Sequence, residues 1–429
     1  MTLTAAVAAW LGVLSGLPLG AQPAGAQKRD VAPASVRNLR TKLNPAYTIP
    51  TVDISGERQR QVIVDREPGQ YLGHPTTVLL EDGRTMLIVY PKGHGRGAIV
   101  YQRSTDGGLT WSGRLATPAS WATSLEVPTL HRVVDAAGRK RIVMFSGLYP
   151  IRMAVTEDDG ATWSELKPIG DFGGVVTMST MIELRPGPGH YLAIFHDDGR
   201  FIRGGREEKY YFKSPHSDYI GTAAKPWRFF VYTTQSRDGG LTWSTPAPIA
   251  MLPDASLCEP CAIRSPDGRQ IAVLFRENSR RYNSFVIFSS DEGLSWSEPR
   301  ELPAALTGDR HAARYSRDGR LFISFRDTTH VSPTKGDWVG WVGTYDDIVQ
   351  GREGQYRVRI LHNTKGSDCA YPGVELLPDD TIVTTTYGHW QSGEMPYIVS
   401  VRFRLADLDA KLPSSKAPAD STPSPKKPR

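Results

Sequence analysis

The chain has 429 residues, with 41 glycines, 32 prolines and 10 tryptophans; this favours many short strands joined by turns and excludes a helix-dominated fold. The formal net charge is +6, but the tail 411–429 holds five basic residues against Asp420, so four of those charges lie there and the body is near +2. That excludes the broad basic face of a nucleic-acid binder, and three cysteines, an odd number, exclude a disulfide framework.

Residues 1–26 are apolar, lack charged side chains and end in small residues suited to cleavage after Ala21 or Ala26. They read as a signal peptide, too short and too broken by Gly and Pro to span a bilayer. The mature protein is therefore expected to be secreted or periplasmic, without stable membrane insertion. Residues 27–57 form a polar lead-in to a first strand near 58–66. From there a hairpin of two apolar strands around a Gly- or Asp-bearing turn recurs six times, at 76–90, 129–147, 179–199, 262–278, 312–329 and 373–390. Alternating apolar positions such as Val78/Leu80 and Leu321/Ile323/Phe325 are strand signatures. A Lys-, Arg- and Tyr-rich insertion is expected at about 201–227. The strand near 58–66 is expected to complete the last repeat near 396–405, and the Pro/Ser/Lys-rich residues 411–429 should be disordered.

A second repeat overlies the first four hairpins. Ser104–Trp111 (STDGGLTW) returns as Thr156–Trp163 (TEDDGATW), Ser236–Trp243 (SRDGGLTW) and Ser289–Trp296 (SSDEGLSW). Each places an Asp to accept backbone N–H groups across a turn, a Gly where φ is positive, and a Trp to plug the hairpin. The four Asp residues, 106, 158, 238 and 291, are spaced by 52, 80 and 53 residues, and a period near 50 points to a propeller or solenoid rather than one irregular core. The predicted fold is all-β: a six-bladed β-propeller of four-stranded antiparallel blades over 58–410, with this turn as the third hairpin of blades one to four.

In such a fold the residues flanking each inner hairpin meet at one end of a central channel. Here those flanks are unusually rich in ionisable groups. Ahead of the hairpins stand His74, Glu126, Glu259, Asp309-Arg310-His311 and Tyr371; behind them stand Lys92 and His94, Arg152, His196-Asp197-Asp198, Arg276, Arg326 and Tyr387-Gly388-His389. Turns alone need only Gly, Pro, Asn or Ser, so the set as a whole predicts a polar ligand site. Inter-blade salt bridges account equally well for any single member, and a turn hydrogen bond accounts equally well for Asp198-Gly199. No HExxH or other compact ligand spacing signals a metal, and no Gly-rich phosphate loop signals a nucleotide, so no cofactor is expected. Cys258-Glu-Pro-Cys261 lacks the second ligand pair of a zinc site and reads as buried thiols or one disulfide.

The S/T-x-D-x-G-x-T/S-W repeat resembles the Asp-box of the sialidase (neuraminidase) superfamily, and the resemblance spans roughly residues 60–405. It implies an exo-glycosidase with a Tyr nucleophile, a Glu partner and arginines that hold the substrate carboxylate. Tyr371, opening the segment YPGVELLPD, resembles the nucleophile. Glu259 followed by Arg276 resembles the family's Glu-then-Arg unit, and Arg310 and Arg326 are placed to be further anion binders. A neutral phenol suits a substrate whose anomeric carbon already bears a carboxylate. Two departures stand out: Gly73-His74-Pro75 replaces the family's Arg-Ile-Pro, and Lys92-Gly-His94-Gly-Arg96 replaces the loop bearing the acid Asp. His94 or Asp197 is then the candidate acid, with His74, Lys92, His196, His311 and Tyr387 as substrate-binding candidates. The expected substrate is a glycan or small molecule with a terminal acidic sugar. The alternatives are a uronate-active hydrolase or polysaccharide lyase on the same propeller, and a glycan-binding propeller without turnover.

Overall fold

The computed structural model describes residues 43–202 and 229–412. The expected signal peptide, most of the insertion at 201–227 and nearly all of the tail lie outside the described residues. Within them the chain is a six-bladed β-propeller. Blade one consists of Thr76–Leu79, Met86–Pro91 and Ile99–Ser104, and backbone bonds Ser112 N–H to Arg103 O (2.8 Å) and Leu115 N–H to Tyr101 O (2.9 Å) extend its outer edge without a regular fourth strand. Blade two begins at Thr129–Val134, blade three at Val175–Glu183, blade four at Leu257–Arg264, blade five at Gly308–Tyr315 and blade six at Gly373–Leu376. Outward from these inner strands successive strands pair antiparallel, with one parallel addition at the edge of blade five.

Closure follows the expected route. Gln61–Asp65 pairs antiparallel with Tyr397–Phe403 as the outer strand of blade six, so the two chain ends of the propeller lock into one sheet. The lead-in does more than expected: Thr51–Asp53 pairs in parallel with Tyr356–Leu361 as a fifth strand of blade five. Val52 and Ile54 alternate inward there and are buried with Phe322 and Val358.

Alternation explains the core. In Tyr191–Asp197, Ala193 and Phe195 pack on Val143 and Phe145 of blade two, while Leu192 and Ile194 pack on Val273 and Phe275 of blade four. Both faces of a blade are thus buried, so its central strands read as continuous apolar runs. Truncating one such side chain to Ala costs about 2–5 kcal/mol.

The four Asp-boxes form the third turns of blades one to four. In the first, Asp106 Oδ1 accepts Leu109 N–H (3.0 Å) and Thr110 N–H (2.9 Å), and Oδ2 accepts the Thr110 hydroxyl at 2.6 Å. Each box also docks onto the preceding blade. Gly160, at φ 83°, lies so close to blade one that a Cβ would stand 2.3 Å from the Tyr101 hydroxyl and 2.7 Å from Leu87. Trp163 reaches the same place, its ring 5.9 Å from Tyr101 and 5.3 Å from Trp121. Blade five has no box; a short helix, Tyr345–Gln350, takes that turn, with Thr344 and Asp347 forming a capping box. Another helix, Leu405–Asp409, follows the third strand of blade six. All three cysteines are buried free thiols. Among the described residues no helix is long and apolar enough to cross a membrane.

Candidate active site

Antiparallel order puts the Asp-boxes at one end of the blades and the starts of the inner strands at the other. At that second end the backbone is forced. Glu259 (φ 48°), Arg310 (54°), His74 (57°) and Ala370 (57°) all adopt left-handed conformations that non-glycine residues avoid. Such positions cost about 1–3 kcal/mol each and persist where surrounding structure imposes them. In blades four and five they coincide with bulges, where pairing slips between Cys258 and Cys261 and between Asp309 and Ala312. A bulge breaks the alternation of side chains and re-aims one of them.

The result is a buried polar cluster. Tyr371 donates its hydroxyl to Glu259 Oε1, and Arg276 Nη1 donates to the same oxygen at 2.6 Å while lying 3.4 Å from the Tyr371 oxygen. Glu259 Oε2 is buried and has no hydrogen-bond partner among the described residues. Burial first, and the Glu259 charge second, push the Tyr371 phenol well above its ordinary range. The phenol is therefore neutral. His196 supports this pair from blade three: Glu259 N–H points at His196 Nδ1 (3.4 Å), and burial followed by Arg276 lowers that imidazole to about 3, so it is neutral.

Asp309 is the electrostatic hub beneath. It is fully buried and receives Arg280 (2.5 and 2.8 Å) and Arg326 Nε (2.9 Å), with Arg276 Nε 3.1 Å away. Burial opposes its ionisation, but Arg276, Arg326 and Arg280 outweigh burial and hold it below the carboxylate range. Two of the three expected anion binders, Arg276 and Arg326, are thus already paired within the protein. Arg310 differs. It is 6% exposed, bonds the Ser179 carbonyl at 2.9 Å and forms no salt bridge among the described residues. Burial lowers its basicity, as expected for a cation without a counter-charge.

A second cluster adjoins the first. The His74 ring lies 4.4 Å from that of Tyr371 and 4.5 Å from that of Tyr387. Gly95 N–H points at His74 Nδ1 (3.2 Å), so Nε2 carries the proton and donates to the Tyr387 hydroxyl at 3.1 Å. Burial, then His94, keeps His74 neutral. Tyr387 in turn donates to Asp368 Oδ1 at 3.2 Å, Tyr71 donates to the same oxygen at 2.7 Å, and His94 Nε2 lies 3.4 Å from it.

The site therefore unites Tyr371, Glu259, Arg276, Arg310, Arg326, His74, Tyr387, His94 and His196. Three candidates do not join it. Lys92 pairs with Glu67 at 3.0 Å, which also holds Arg114. Asp197 is fully buried and its carboxylate accepts the backbone N–H groups of Arg200, Phe201 and Ile202, leaving no surface from which to protonate a ligand. His311 turns into blade five, with Nε2 on the Leu306 carbonyl and its ring 5.0 Å from Phe325. Sequence reasoning missed Asp368 and Tyr71, which lie in ordinary polar turns. It noted Glu126 and Asp309 without assigning them a role. Glu126 is buried, accepts Val127 and Val176 N–H groups, and burial raises it to about 7. Among the described residues no group of three His, Cys, Asp or Glu is placed to hold a metal ion.

Residues 149–331 match the model of the BNR repeat-like domain family. A protein of unknown function from Dyadobacter fermentans superposes with a TM-score of 0.60 at 14% identity, covering 80% of this chain and 97% of that one. The NanB sialidase of Streptococcus pneumoniae gives 0.54 at 12% identity over 81% of this chain and 70% of its own. The two share the six-bladed β-propeller fold of this chain. The α-L-arabinanase of Penicillium chrysogenum shares that fold, with a TM-score of 0.56 at 12% identity, covering 81% of this chain and 98% of the arabinanase. No curated protein sequence matches the chain.

Proposed function

We propose that the protein is an exported exo-glycosidase that hydrolyses a terminal acidic sugar from glycans. The observation that carries this reading is the buried Tyr371–Glu259–Arg276 group. There a phenol too weakly acidic to ionise alone donates directly to a carboxylate fixed by an arginine. That is the arrangement of an activated nucleophile and its base. Arg310, a buried cation without a salt-bridge partner among the described residues, supplies the charge that an acidic sugar would neutralise. His94, 68% exposed at its side chain and beside Asp368, is the acid. The sialidase and arabinanase neighbours support a glycosidase on this fold, and the apolar residues 1–26 support export.

In the first half-reaction the Tyr371 oxygen bonds to the anomeric carbon as the glycosidic C–O bond breaks. Glu259 takes the phenol proton and His94 gives one to the departing oxygen. Water then reverses both proton transfers as it displaces Tyr371. His74 favours a refinement of substrate. It is neutral where the sialidase resemblance implies an arginine, so the anion contact is weighted toward Arg310 and a uronic acid becomes the alternative to a sialic acid.

The test is turnover of fluorogenic α-sialoside and of α- and β-glucuronide and galacturonide by the mature chain and by Tyr371→Phe. Release lost by about 10³-fold or more in the variant, with folding intact, is expected. Retained activity in Tyr371→Phe would remove the nucleophile assignment. Product absorbing in the near ultraviolet would replace hydrolysis by elimination, and no release from any substrate would leave glycan binding as the function.

A further inference from the structure

We propose that Asp368 is the positioning residue of an acid–base pair with His94, fixing that exposed imidazole beside the Tyr371 site so that it exchanges a proton with the departing sugar oxygen. The inference rests on the glycosidase reading above, and its first test below needs no turnover.

Asp368 stands three residues before Tyr371, in left-handed backbone at φ 62°. Its Oδ1 takes the Tyr71 hydroxyl at 2.7 Å and the Tyr387 hydroxyl at 3.2 Å, and faces His94 Nε2 at 3.4 Å. Its Oδ2 takes His389 Nε2 at 3.2 Å and Lys365 Nζ at 3.4 Å. Burial opposes its charge, yet the bonds from His94, Tyr71 and His389 keep it ionised far below the ordinary carboxylate range. Among its partners is a ring that is 68% exposed at its side chain.

The ring is also placed. His94 meets His74 edge-on with centroids 4.8 Å apart, and His74 meets Tyr371 the same way at 4.4 Å. One imidazole therefore separates the proposed acid from the proposed nucleophile. With Nε2 facing Asp368, Nδ1 is the nitrogen that a ligand would meet, in exchange for the residue's own backbone carbonyl. In the imidazolium, Nδ1–H passes to the departing oxygen while Nε2–H stays on Asp368. The water of the second half-reaction returns a proton to Nδ1, so neither pair ends a cycle short of a proton.

The groups facing His94 set its titration. They are Asp368 from the segment before blade six and Tyr71 and His74 from that before blade one, with the charge of Arg326 from blade five acting on it; Lys365 and His389 act on it only through Asp368. Asp368, 3.4 Å from Nε2, is the largest influence and raises the imidazole; burial and Arg326 oppose it. Removing the Asp368 charge must therefore lower it. Activity that requires the imidazolium is lost as pH rises through its pKa, so the alkaline limb of kcat/KM must move to lower pH.

The test is an NMR titration of His94 in the full chain, assigned by the signal lost in His94→Gln. His94 should titrate above ordinary imidazole in the wild type, fall in Asp368→Asn and recover in Asp368→Glu. An unmoved titration in Asp368→Asn overturns the proposal whether or not the enzyme turns over the sugars named above. In turnover, Asp368→Asn and His94→Gln should each lose about 10²-fold or more on a substrate with a sugar leaving group, and far less with a nitrophenol, which departs without a proton. Equal losses on both leaving groups with an unmoved alkaline limb would make Asp368 a scaffold residue only. The exposed His94→Gln keeps that comparison available if Asp368→Asn fails to fold.

Discussion

The two ends of this propeller use charge in opposite ways. At one end, four Asp-boxes repeat a single solution: a solvent-facing carboxylate on its own turn, a glycine where φ is positive, and a Trp against the preceding blade. At the other, the side chains differ from blade to blade even where blades four and five share a bulge, positive φ falls on Glu259, Arg310 and His74, and charges are buried against charges from other blades. A repeated device is local, so each copy stands on its own. A site assembled from the residues that break the repeat is shared, and its members depend on one another. The two ends should therefore respond differently to mutation.

The largest stability effect is expected at Asp309. Replacing it with Leu leaves Arg276, Arg280 and Arg326 crowded around an apolar group, and breaking a buried pair from one side costs about 3–5 kcal/mol. Chemical denaturation of Asp309→Leu measures this. A loss near that of an average surface substitution would mean that the arginines relax into solvent and that the mouth is far looser than its geometry.

Interdependence is the sharper test. Glu259→Gln and Arg276→Met remove two ends of one 2.6 Å contact, so their combined effect should fall short of the sum by about 1–3 kcal/mol. Asp106→Ala and Asp238→Ala, in blades one and three, should each cost about 1–2 kcal/mol, comparable to losing a helix cap and discounted for solvent exposure. These two should add within about 0.5 kcal/mol. Coupled boxes or an additive mouth would undo the contrast.

The same contrast explains what could be read from the sequence. The boxes and hairpins are local patterns, so blade number, hairpin positions and closure by Gln61–Asp65 were all legible. The helix Tyr345–Gln350 was missed because it replaces a box in a repeat already degraded, and Thr51–Asp53 because three residues give too short an alternation. At the mouth, Tyr371, Glu259 and Arg276 were legible as ionisable groups on hairpin flanks. Asp368 was not. Its partners Tyr71 and His94 lie 297 and 274 residues earlier in the chain, and its left-handed backbone leaves no mark on a non-glycine residue. Asp197 and His311 occupy flanks that look the same in sequence, and only packing reveals that their polar atoms turn toward backbone groups.

The smallest expected effect belongs to the boxes and concerns acid. In the fold, hydrogen bonds from the Thr162 hydroxyl and N–H lower Asp158 to about 2, and for Asp106 burial is outweighed by the bonds from Thr110, Ser104 and Leu109 together, which bring it to about 2 as well. A carboxyl lowered on folding adds stability above its unfolded pKa of about 3.9, and that stability is lost as pH falls through the folded value. Wild-type stability should therefore decline between about pH 4 and pH 2. Asp158→Asn, which has no proton to gain, should decline less steeply across that window while being slightly less stable above it. Denaturation midpoints of the two proteins at half-unit steps of pH measure the difference in slope. Parallel curves would mean that Asp158 is equally well solvated in the unfolded chain, and that the box holds its blade through Gly160 and Trp163 rather than through the carboxylate.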